Sequence, residues 1–273
     1  MADSLREKPF FQELQAEHRK WLSGFDSGYL SQWEKLLNHD REAALAEARV
    51  RQVLESYGVT AEPNETLTGQ EQRPDFRCCS RGYKFRVEVT CISADSAVAK
   101  TDIASAPRGF SPSPLNDAIS AKCRGKTTQC SNSDAPTLLA VGISDRYAAW
   151  CNFKKQRLEW VLSGETRIAW KAVMQPEGRT VEMCEVTDLR SSAFLRRDDA
   201  GGVRLIRRSI SGLLFSNLAS AKQPFIGILH PDPARPFDPA FLPQVEFGRG
   251  VVDRESNSLR IEWPKGFANE HDV

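Results

Sequence analysis

Stretches with apolar residues at helical spacing alternate along this chain with stretches of two-residue alternation or unbroken apolar character, and that order predicts an α/β or α+β sandwich around one sheet. Residues 5–38 carry Phe10, Phe11, Leu14 and Trp21, then Tyr29, Trp33, Leu36 and Leu37, a spacing for one or two helices broken near Gly24 and Gly28. A further helix is expected from Asp40 to Tyr57, with Ala46, Val50, Val53, Leu54 and Tyr57 as its apolar stripe. It should stop at Gly58, where glycine can take the left-handed cap conformation. After a loop through Pro63 and Asn64, residues 74–79 and 83–93 read as short strands joined through Ser80-Arg81-Gly82 as a hairpin.

Residues 94–114, rich in Ser, Ala, Pro and Gly, predict a loop, and Leu115 to Cys130 a helix. Thr137 to Ile143 is an unbroken apolar run of the kind that fills a buried central strand. Segments 147–153, 166–174 and 180–187 read as strands or short helices of an insertion. Residues 209–219 form a helix or strand, 225–229 a strand, 231–243 a proline-rich irregular stretch, and 258–263 a last edge strand. The expected organisation is an N-terminal helical extension (1–40), a core (41–145), an insertion or accessory region (146–208) and C-terminal strands completing the domain (209–273). Its centre is a mixed sheet flanked by helices.

Composition leaves this picture intact and narrows the chemistry. With 273 residues, 40% hydrophobic and 27% charged, the chain can bury a sizeable core. Seven cysteines, an odd number without a Cys-x-x-Cys pair, indicate neither a closed disulfide set nor a zinc site, and reduced thiols point to the cytoplasm. No stretch has secretory or membrane-spanning length, so no membrane partner is expected. The net charge of +1 means that affinity for phosphate must come from local clusters. Two qualify: Arg77, Arg81, Lys84 and Arg86, and a second running through Arg190, Arg196, Arg197, Arg204, Arg207 and Arg208. His230, before Pro231, reads as a turn residue, and Cys78, Cys79, Cys91 and Cys123 as small core or sheet-face residues.

Candidate chemistry lies on the predicted hairpin. On its second strand Phe85, Val87, Val89 and Cys91 fall on one face, and Arg86, Glu88 and Thr90 on the other. Asp75, after Pro74 at the start of the first strand, can sit across from the Glu88 region. Carboxylates brought together in this way can hold the divalent metal that phosphodiester hydrolysis uses to neutralise charge and activate water.

Arg73-Pro74-Asp75-Phe76, thirteen residues before Glu88-Val89-Thr90, resembles the Pro-Asp…(Asp/Glu)-x-Lys signature of the PD-(D/E)XK nuclease superfamily, with Thr90 at the signature lysine. The resemblance covers roughly residues 42–145. It implies a restriction-endonuclease-like core in which Asp75 and Glu88 are catalytic and bind Mg²⁺ or Mn²⁺. Some members carry the lysine on the following helix, where Lys122, Lys126 and Gln129 share a face; Lys122 is preferred for the role and Lys126 is second. The superfamily often adds an acid from the helix before the first strand. Glu47 and Glu42 border the apolar stripe equally well, and Glu47 is preferred for its mid-helix position. The implied activity is endonucleolytic cleavage of nucleic acid, DNA favoured, in restriction, repair or anti-phage defence. Arg77, Arg86 and Lys126 would contact nucleic acid, and a protein partner or second copy fits the same picture. Thr90 keeps open an alternative: an inert nucleic-acid-binding or assembly subunit on the same scaffold.

Overall fold

The structure, a computed structural model, describes residues 9–64, 73–92, 113–143, 155–175, 178–199, 202–218, 225–253 and 258–264. It is an α/β fold in which an eight-stranded mixed sheet is flanked by helices.

Three helices open the chain: α1 (Pro9–Leu22), α2 (Ser27–His39) and α3 (Arg41–Ser56). The expected break falls at residues 23–26 and ends on Asp26, whose carboxylate caps α2 by accepting from Gly28 N at 2.8 Å. Asp40 does the same for α3 through Ala43 N at 3.0 Å. Helix α3 ends at Tyr57 and Gly58, the latter at φ +78°. Arg51, 1% exposed, ties α3 to α1: it donates to Glu17 at 3.0 Å and Glu55 at 2.6 Å, and its guanidinium lies over the Trp21 ring.

Strands β1 (Thr60–Pro63), β2 (Phe76–Ser80) and β3 (Tyr83–Ile92) follow as an antiparallel set. Arg81 and Gly82, both at positive φ, make the two-residue turn between β2 and β3, the geometry that matches the twist of a hairpin. Helix α4 (Ser113–Ser131) then crosses back to β4 (Thr137–Ile143), which runs parallel to β3 and is buried along its whole length. Helix α5 (Lys155–Ser163) precedes the long hairpin β5 (Glu165–Gln175) and β6 (Gly178–Asp188) and the short hairpin β7 (Leu195–Arg197) and β8 (Val203–Leu205). Strands β9 (Gly212–Asn217), β10 (Ile226–Leu229), β11 (Glu246–Asp253) and β12 (Ser258–Glu262) complete the main sheet, in the order β1-β2-β3-β4-β9-β10-β11-β12.

Several expectations are refined. Segments 166–174 and 180–187 are strands, paired with each other and outside the main sheet. Residues 212–217 are a strand, and 231–243 is irregular apart from a short 3-10 turn at Pro239–Phe241. β12 is an edge strand, as its sequence suggested. β1 occupies positions read as loop, and α5 and β11 had no counterpart in the sequence reading. The expected loop 94–114 lies outside the described residues up to position 112, and so does segment 147–153.

The two faces of the sheet carry separate apolar layers. On one, Phe85, Val87, Val89, Leu138, Ala140 and Leu214 pack with Ala46, Val50 and Leu54 of α3. On the other, Ile92, Leu139, Val141 and Phe215 pack with Ile119 and Cys123 of α4 and Leu158 and Leu162 of α5. Helix α3 comes so near β4 that a Cβ at Gly142 would stand 2.8 Å from the Ala46 Cβ, inside any normal contact.

Candidate active site

Glu88 sits mid-strand on β3, beside Leu139 of β4, on the face covered by α4. It is fully buried, 0% exposed. A lone carboxylate there would carry a desolvation cost of several kcal/mol. Lys126 of α4 meets it, with Nζ 2.5 Å from Glu88 Oε1. Burial pulls the Lys126 ammonium down, but Glu88, with Asp75 and Glu47 adding, more than reverses this and holds it above the ordinary lysine range.

Asp75 lies one residue before β2. The ladder pairs Phe76 with Val87, so continuing it by one step sets Asp75 across from Glu88. Asp75 is itself buried, and its Oδ2 accepts from Val89 N at 2.6 Å. Beyond Phe76 no strand residue is registered against β3 on this side, and the Asp75 side chain takes the Val89 N–H instead. That bond holds the carboxylate at the start of β2, beside β3. On its other side, Asn64 N donates to Asp75 O and Asn64 Nδ2 to Pro74 O, extending the contact made by β1.

The sequence preference for Lys122 does not match the geometry. Lys122 is exposed, whereas Lys126 is half-buried and holds Glu88. The reason is the crossover. α4 returns antiparallel to β3, so later helix residues stand over earlier strand residues: Lys122 acts on Cys91, and Lys126 on Glu88. Lys126 also lies between Cys123 and Cys130 on the buried stripe of α4, at steps of three and four. Gln129 is half-buried on the same helix, and Thr90 is buried two residues beyond Glu88 on the same face.

Glu47 of α3 is half-buried and lines a cavity together with Asp75, and its charge reaches Lys126. Glu42, also half-buried, acts on Cys91 instead. Of the residues expected to contact nucleic acid, Arg77 is 3.6 Å from Glu62, Arg86 donates to Asp134 at 2.8 Å, and Lys126 holds Glu88. The second basic cluster is partly structural. Arg196 donates to Leu189 O, Arg207 to Ala193 O, and Arg208 to Asp232. Burial moves Arg207 down to about 10. His230 is the turn residue its sequence position suggested: Asp232 N donates to Nδ1 at 3.0 Å, which leaves Nε2–H to donate to Ile206 O at 2.8 Å.

Sequence reasoning missed the cavity beside Asp75, about 230 Å³, walled by α1 and α2 residues that it treated only as an apolar stripe. The signal was present in His18 and Gln32, polar side chains close to the aromatic positions Trp21 and Trp33.

Among the described residues, no group of three or more His, Cys, Asp or Glu side chains is arranged to hold a metal ion. Magnesium makes a smaller demand, since one or two carboxylates with water and substrate phosphate commonly suffice. Asp75 and Glu88, placed across from each other by the β2–β3 register with hard oxygen donors, fit that demand, and Glu47 lines the cavity with Asp75. No helix among the described residues is long and apolar enough to cross a membrane. No protein-family model, curated protein or solved structure matches the chain.

Proposed function

We propose that this chain is a metal-dependent nuclease of the PD-(D/E)XK class, hydrolysing nucleic-acid phosphodiester bonds with DNA the favoured substrate. The observation that carries this reading is the cluster of buried Asp75 and Glu88 with half-buried Lys126, in which the lysine comes from the helix after the strand. Charged groups buried in a sheet add little net stability, so a cluster of them points to chemistry.

Asp75 and Glu88 would hold Mg²⁺ or Mn²⁺, with Glu47 supporting. When bound, the metal supplies Lewis acidity and lowers the pKa of a coordinated water. Val89 N–H keeps the Asp75 carboxylate aimed. Lys126, held beside Glu88, would offer its ammonium to the attacking water or to the charge growing at phosphorus. Lys126 thereby takes the part that Thr90 lacks the cation to play.

A second reading is favoured by one observation: Lys126 already satisfies Glu88, as it would in an inert nucleic-acid-binding subunit. One experiment separates the two. Circular double-stranded DNA, single-stranded DNA and RNA are incubated with the purified chain and Mg²⁺ or Mn²⁺. Cleavage that vanishes in EDTA and in Asp75→Ala supports the nuclease, while no cleavage of any substrate leaves the inert subunit.

A further inference from the structure

We infer that the outer face of α4 and the β7–β8 hairpin beside it form a basic saddle that takes the phosphate backbone of the nucleic acid handled at Asp75 and Glu88. The identity of the partner rests on the nuclease reading; the surface itself rests on Arg124, Arg196, Arg204 and Arg207 and on where they sit.

Helix α4 turns different flanks to its surroundings. Ile119, Cys123 and Cys130 face the core, and Lys126 stands beside Glu88. Ser120 and Thr127 meet the segment around the hairpin: Ser120 Oγ donates to Ser192 O at 3.0 Å, and Ser209 Oγ to Thr127 O at 3.2 Å. Arg124, four residues after Ser120 and three before Thr127, lies on that second flank. The outer face between the two flanks carries Ala121, Gly125 and Thr128, all small and exposed, and a Cβ at Gly125 would meet nothing within 4 Å. A backbone can therefore cross α4 closely, from Lys126 to the arginines. The crossing is about one helix diameter, 10–12 Å, or roughly three nucleotides at ~3.4 Å per residue of a strand.

The arginines are held where they repel one another. Arg196 and Arg204 are directly opposite across β7 and β8, a like-charge placement that costs stability. Arg196 donates to Leu189 O and reaches Ser120 Oγ at 3.3 Å, which fixes it against α4. Arg207 sits at φ +57°, a conformation that residues other than glycine seldom adopt. Its Nη1 is anchored on Ala193 O, while Nε and Nη2 donate to nothing among the described residues and stay open to solvent. Burial lowers Arg207 to about 10, and the charges of Arg196 and Arg124 add to that shift. Of the neighbouring acids, Asp198 accepts from Gly202 N at 2.7 Å, Asp232 pairs with Arg208, and Asp199 is exposed at the hairpin turn; none of the three is among the charges acting on Arg207. Arg124 and Arg204 are exposed and make no ion pair among the described residues. Phosphate oxygens relieve this repulsion and match the planar guanidinium fork.

The test measures binding of a short single-stranded oligonucleotide to the full chain in EDTA, by fluorescence anisotropy over a KCl series. Each lost phosphate contact takes about 0.7 from the slope of log Kd against log salt, so the double variant Arg124→Gln, Arg204→Gln should lower the slope by about 1.4 and weaken binding about tenfold at low salt. Lys20→Gln, Lys35→Gln removes the same charge from exposed positions of α1 and α2 and should bind as the parent. Gly125→Ala adds a methyl in open space and should also bind as the parent, whereas Gly125→Glu sets a carboxylate in the saddle and should weaken binding about tenfold. An unchanged slope in the arginine variant overturns the inference, as do a loss no larger than that of the lysine control and parental binding by Gly125→Glu. A polyglutamate peptide of equal charge that competes as well as the oligonucleotide overturns it in favour of an acidic protein partner. EDTA removes cleavage from the readout, so the two readings fail separately. A chain that shows these losses but never cuts with Mg²⁺ sinks only the nuclease, and one that cuts while the arginine variant keeps its slope sinks only this surface.

Discussion

Lys126 Nζ stands 2.5 Å from Oε1 of Glu88, a carboxylate with no exposed surface, so helix α4 and strand β3 are joined by a charge pair inside the fold. Removing one partner leaves the other charge buried and uncompensated. Lys126→Ala is therefore expected to cost about 3 kcal/mol in denaturant unfolding, the lower end for a buried pair because the lysine is partly exposed. The double variant Lys126→Met, Glu88→Met, which leaves no buried polar group unpaired, should recover most of that loss. If the single and double variants are equally unstable, the pair is not what stabilises the contact.

Asp75 has two jobs that substitutions can separate. Asp75→Asn keeps an oxygen for Val89 N–H and should stay within about 1 kcal/mol of the parent, whereas Asp75→Ala loses a hydrogen bond to a charged group and should cost about 2 kcal/mol. Both variants should lose metal-dependent cleavage, and an active Asp75→Asn enzyme would argue against Asp75 as a metal ligand.

The two lysines of α4 should differ sharply in assay. Lys126→Ala is expected to lower cleavage by about 10² or more, the scale of a lost acid–base group. Lys122→Ala, at an exposed position, should cut at the parental rate. The opposite ranking would return the role to Lys122.

Two buried histidines make stability depend on mildly acidic pH. Burial lowers His18 to about 3, with Arg51 adding, and burial lowers His230 to about 4, both from an ordinary 6.5. Below 6.5 the unfolded chain takes up protons that the folded chain refuses, so stability falls as pH drops toward 4. The slope should approach roughly 1.4 kcal/mol per pH unit for each histidine. Urea melts from pH 7.5 to 4.5 should show this slope, and His18→Phe should reduce it. An unchanged slope would mean that His18 is not buried neutral.

Much of the fold was legible because it depends on neighbours in sequence. Asp40 three residues ahead of Ala43, and Gly58 after Tyr57, bound α3 through local caps, and alternation along residues 83–92 put Glu88 opposite in face to Val87 and Val89. The short turn at Arg81 and Gly82 sets the β2–β3 register, and with it the position of Asp75 across from Glu88. Which lysine meets Glu88 was not legible in this way. Lys122 and Lys126 share a helical face, and only the antiparallel return of α4 over β3 decides that the later residue stands over the earlier carboxylate. The cavity beside Asp75 was hidden for the same reason. Its His18, Trp21, Gln32 and Trp33 look like stripe and border positions of two helices until α1 and α2 pack beside the sheet. Sequence spacing determines what lies on one face of one element; packing between elements, which depends on residues far apart in the chain, determines which faces meet.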